Sequence, residues 1–126
     1  MATLAEIVID AQHPAALARF WAGVLDDYAV RDYDQAEIDR LAALGHTPET
    51  DPTVALDGSG PTWFFQQSGE PTTQRNRIHF DVVCRNREAE VHRLIELGAR
   101  IREQRDGYTV MLDPEGNQFC VKESGV

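Results

Sequence analysis

The feature that most constrains this chain of 126 residues is an internal repeat. A strand-like apolar run, Thr3 to Asp10, is followed by Pro14, which suits a helix start, and by Leu17, Phe20, Trp21, Val24 and Leu25 at helical spacing. Placing Glu6 on His79, an offset of 73 positions, superimposes Trp21 on Leu94 and Val24 on Leu97. The second copy opens on Arg77 to Cys84, whose apolar residues alternate with polar ones. Asn86 then caps a helix with Glu88 and Glu90 in its first turn, an apolar stripe of Val91, Leu94, Ile95 and Leu97, and Gly98 at its close.

The remainder of each half reads as three strands. In the first half these are Tyr28 to Tyr33, Thr53 to Leu56 and Thr62 to Gln67. In the second they are Arg100 to Arg105, Tyr108 to Asp113 across an Asp106-Gly107 hairpin turn, and Gln118 to Glu123. Neither half can bury its sheet face alone, so the repeat predicts one α+β domain over residues 1–126, built from two βαβββ modules, 1–67 and 76–124. The first module is longer by a helical insertion over 34–51. There Asp34-x-x-Glu37 is a capping box, Ile38, Leu41 and Leu44 share a side, and Gly45 is the stop.

Composition narrows the partners. Twelve Lys+Arg against twenty-one Asp+Glu give −9, which excludes a nucleic-acid partner because phosphate binding needs a basic footprint. An acidic surface serves solubility first and favours a cationic ligand second. Hydrophobic residues at 42% and charged ones at 26% belong to a globular chain. No run of 18 apolar residues exists, no basic stretch precedes the N-terminal apolar run, and Cys84 and Cys120 lack Cys-x-x-Cys spacing. A cytoplasmic protein without membrane contact is the expectation. One lysine against eleven arginines suggests a bacterial source.

Strand alternation separates a helix-covered face from an open one. Ile7, Ile9, Trp63, Phe65, Ile78, Phe80, Val82, Phe119 and Val121 fall on the covered side. Glu6, Phe64, Gln66, His79, Asp81 and Cys120 fall on the other. Cys84 and Cys120 take opposite faces, so no disulfide joins them.

The stretch Ala18 to Leu25 with Phe20-Trp21, the segment Arg77 to Val82 (RIHFDV) and the closing Leu112 to Val121 (LDPEGNQFCV) resemble the vicinal oxygen chelate superfamily. That superfamily includes glyoxalase I, bleomycin-resistance proteins and extradiol dioxygenases; the chain is most similar to its bacterial glyoxalase-like subgroup. The resemblance implies a curled mixed β-sheet around a cleft, helices on the outer face, and commonly a homodimer. It also implies four ligand slots in metal-dependent members, which fall here on Glu6, Gln66, His79 and Cys120. Glu6, Gln66 and His79 are then the metal candidates, Glu6 and His79 the catalytic ones, and Phe64, Gln66 and Cys120 the ligand-binding ones. Cys120 replaces the carboxylate typical of glyoxalase I. Two readings follow: a small-molecule binder without glyoxalase I activity, or a lyase, isomerase or dioxygenase using one divalent metal ion.

Overall fold

In the computed structural model residues 1–70 and 76–124 are described, and the chain divides into two units, Met1–Glu70 and Pro71–Val126. In the first, α1 (Pro14–Val24) connects β1 (Glu6–Ala11) to a sheet completed by β2 (Ala29–Val30), β3 (Thr53–Asp57) and β4 (Thr62–Gln67), in the order β1-β4-β3-β2. β1 runs parallel to β4, and the other pairs are antiparallel. The stripe of α1 buries Leu17, Trp21 and Val24 against the sheet residues Val54, Leu56, Trp63 and Phe65. Trp21 and Trp63 lie 5.3 Å apart between ring centroids, and Tyr28 lies 6.0 Å from Trp63. Such aromatic contacts add to the area they bury. α2 (Gln35–Ala43) is the expected insertion helix, with Asp34 accepting the Glu37 N–H at 2.8 Å and Leu41 buried.

The second unit repeats the plan. β5 (Phe80–Cys84), α3 (Arg87–Leu97), β6 (Arg100–Arg105), β7 (Tyr108–Leu112) and β8 (Gln118–Glu123) form a sheet of order β5-β8-β7-β6, with β5 parallel to β8. Val91 and Leu94 of α3 pack over β6, β7 and β8, beside buried Met111, Phe119 and Val121. Asn86 accepts the Ala89 N–H at 3.0 Å, and Gly98 ends the helix at φ +118°, a conformation glycine adopts without strain. The turn into β8 is organised by Asp113, fully buried. It accepts the N–H groups of Glu115 and Asn117 and the Asn117 side-chain amide, each at 2.9 Å. Two α+β units of βαβββ plan are the architecture the repeat predicts.

Three strand expectations need correction. β1 starts at Glu6, because its partner β4 begins at Thr62 and leaves Thr3 to Ala5 nothing to pair with. β2 is two residues long: after Val30 only the Arg31 N–H bonds on to Ala55, and Asp34 already caps α2. β5 starts at Phe80, because Asn76 Oδ1 takes the Gln118 N–H at 2.7 Å and the ladder begins one residue later. Ile78, assigned to the covered face, is therefore 79% exposed.

Candidate functional site

The open face of the second sheet holds a cavity of about 450 Å³ lined by side chains of β5, β8, β7 and β6 and by His79. Register explains the gathering. Asp81 pairs with Cys120, Cys120 with Val110, and Val110 with Glu103, so one transverse row crosses all four strands on one face. A second row, Lys122, Tyr108 and Arg105, lies two residues further along. His79 is the residue just before β5, and its imidazole turns toward Asp81. Asn76 ties the approach to β5 onto the start of β8, through the Gln118 N–H and through Asn117 at 3.3 Å.

His79, Asp81 and Cys120 each offer a ligand atom within 4.8 Å of the others. Cys120 is buried, while His79 and Asp81 are partly open. Lys122 Nζ sits 2.7 Å from Asp81 Oδ2, and His79 Nε2 sits 3.5 Å from Oδ1. The hydrogen bond from Lys122 holds the Asp81 carboxyl below the usual carboxylate range. Partial burial opposes this, and the charges of Lys122 and His79 and a hydrogen bond with Cys120 reinforce it. On β6, Arg105 pairs with Glu103 at 2.9 Å, and Arg102 donates to the side-chain oxygen of buried Gln118 at 3.2 Å.

The first unit carries the remaining sequence candidates. Glu6, Phe64 and Gln66 share the face opposite α1, as alternation requires, but Glu6 pairs with Thr62 and Gln66 with Asp10. Four residues of strand rise, about 13 Å, separate the two along the sheet, too far for one metal ion to take both as ligands. The pairing of Glu6 with Gln66 in one donor set is thus corrected. It assumed a strand centred on Glu6, whereas Glu6 is the first residue of β1 and is exposed. Phe64 carries Arg31 over its ring at 5.6 Å, and Arg31 is anchored by both carboxylate oxygens of Asp57. Nearby, Tyr33 donates to buried Asp51 at 2.7 Å; burial and then that bond hold its phenol above the ordinary range.

In the second unit His79 and Cys120 do meet, and Asp81 joins them. Alternation had put Asp81 on their face without assigning it a role; the register with Cys120 is the missing signal. Alternation in β8 puts Gln118 and Lys122 on the open face with Cys120 but assigns them no role, and no local signal marks Arg102. Neither Cys84 nor Cys120 forms a disulfide, as expected.

A repeated βαβββ unit, with its first and last strands parallel and chemistry-bearing residues on the face away from the helix, defines the vicinal oxygen chelate superfamily. The family model of the Glyoxalase-like domain matches residues 6–122, and the chain belongs to that family. A glyoxalase/bleomycin resistance protein/dioxygenase family enzyme from Burkholderia phytofirmans PsJN shares the fold at a TM-score of 0.68 and 17% identity, over 97% of this chain and 98% of that one. The fosfomycin resistance protein FosX from Mesorhizobium loti does so at 0.67 and 14%, over 100% and 94%. No curated protein matches the sequence. Among the described residues no helix is long and apolar enough to cross a membrane.

Superfamily members commonly use a divalent metal. The nitrogen, oxygen and sulfur donors of His79, Asp81 and Cys120 suit a borderline ion such as zinc, which takes three protein ligands and keeps a position open in catalytic sites. Lys122 is no barrier, since a half-exposed ion pair is a weak competitor for the Asp81 carboxylate.

Proposed function

We propose that this chain binds a small molecule in the cavity of its second unit and lacks glyoxalase I activity. The observation that carries this is the cavity itself. It is a pocket of about 450 Å³, within the size range of small-ligand sites, and its lining is mostly polar and charged, with Val110 and Tyr108 set among those groups. Cys120 stands where glyoxalase I has a carboxylate, which argues against that activity. The test is a small-fragment screen read by amide NMR shifts. Hits should perturb His79, Asp81 and Cys120 as one set; hits that scatter elsewhere, or none, would sink the reading.

A second reading, a metal-dependent lyase, isomerase or dioxygenase, is favoured by the grouping of His79, Asp81 and Cys120. An ion held there would act as a Lewis acid on substrate oxygens. In this reading His79 serves as a ligand to the ion, so its imidazole is not also the group that moves the proton. The same titration with zinc chloride checks it: zinc should bind stoichiometrically to the wild type and at least tenfold more weakly to Cys120→Ser. Equal affinity would remove Cys120 from the ligands.

A further inference from the structure

The cavity lining runs against the charge of the chain. The protein carries −9, yet the lining holds Arg102, Arg105 and the molecule's single lysine, Lys122, against two carboxylates. Those carboxylates are already engaged: Asp81 by Lys122 at 2.7 Å and Glu103 by Arg105 at 2.9 Å. Arg102 is left over. Among the described residues its guanidinium donates to one acceptor, the neutral amide oxygen of Gln118. Its charge has no acidic partner there, and most of its five N–H donors remain available.

The backbone accounts for where Arg102 points. β6 pairs Ile101 with Met111 and then Glu103 with Val110, so Arg102 is the extra residue of a β-bulge. In an unbroken strand Arg102 would share the face of Gln104, opposite to Glu103. Gln104 pairs with Thr109, which is buried on the α3 side. The bulge lets Ile101 and Gln104 keep to that side while Arg102 turns to the cavity, the re-aiming such irregularities perform. Gln118 then clamps it without neutralising it. Gln118 is itself held in place, since its N–H is bonded by Asn76.

Resting on the reading that this cavity binds a small molecule, we infer that its ligand carries an oxyanion, a carboxylate or a phosphorus oxyanion, received by Arg102 with Lys122 close by. A planar guanidinium matches such groups with two parallel N–H donors, and charge-assisted bonds of this kind are roughly twice as strong as neutral ones. The oxyanion would lie on the same face as His79 and Cys120, which leaves the rest of the ligand beside those two side chains.

Benzoate, phenylphosphonate and the uncharged benzamide provide the test, each titrated into the intact chain and followed by amide NMR shifts. At least one anion should bind about tenfold or more tightly than benzamide, with shifts at Arg102, Gln118 and Lys122. Arg102→Gln should weaken that anion about tenfold and leave benzamide unchanged; Arg102→Lys should restore only part of the loss. Whichever anion binds more tightly identifies the oxyanion. Benzamide binding as tightly as the anions, or anion affinity unmoved by Arg102→Gln, overturns the oxyanion and leaves the cavity reading standing. No probe binding in the cavity overturns both.

Discussion

A carboxylate between a lysine and a histidine holds its proton weakly, and Asp81 is so placed. Its folded pKa lies below the unfolded value of about 3.9, so its contribution to stability is present above that pH and is lost as pH falls through the lower folded value. Both partners are half-exposed, so solvent screening keeps the contribution small. Lys122→Met should move the Asp81 midpoint upward, toward the ordinary range, in a carboxyl-carbon NMR titration. An unmoved midpoint would show that Lys122 is not what holds the carboxylate. Cys120 shares that neighbourhood: it is buried, and its sulfur lies within 4.8 Å of a ligand atom of both His79 and Asp81.

At the scale of elements, the turns decide what reaches each site. Asp113 closes the turn before β8 and so sets the register that brings Gln118, Cys120 and Lys122 opposite β7. The β3–β4 turn of the first unit is sterically tight. A Cβ on Gly58 would stand 2.5 Å from Tyr28 Cγ and 2.6 Å from the Asp27 carbonyl oxygen. The Tyr28 hydroxyl donates to the Pro61 carbonyl at 2.9 Å, and its ring packs near Trp63, so it has little freedom to retreat. Gly58→Ala should therefore destabilise by roughly 1–3 kcal/mol, the usual cost of overpacking, read from urea unfolding midpoints. A midpoint equal to wild type would mean the turn relaxes without cost.

At the scale of the whole molecule, the acidic excess governs solution behaviour and misleads about the site. With a pI near 4.7, light scattering should show self-association rising as pH approaches that value and falling above it; a flat profile from pH 7 to 5 would contradict this. The same excess suggested a cationic ligand, yet the lining of the cavity has the opposite balance, because folding brings Arg102 and Arg105 of β6 onto one face with Lys122 of β8. Local pattern was legible where one segment decides the outcome. The stripe of Leu17, Trp21 and Val24, the caps Asp34 and Asn86, the alternation in β8 and hence the repeated βαβββ plan follow from nearest neighbours along the chain. So did the shared face of His79 and Cys120. What the sequence could not carry is register, since sliding one strand past another by two or four residues keeps every apolar side chain on its own face. Glu6 and Gln66 are separated because β1 pairs with β4 four residues away from the register that would join them, and Asp81 meets Cys120 for the converse reason. The bulge at Arg102 belongs to the same class of fact: β6 reads as an ordinary strand, and only its hydrogen bonding to β7 turns one arginine into the cavity. Sequence alone determined which faces exist; pairing between distant strands decided which side chains share them.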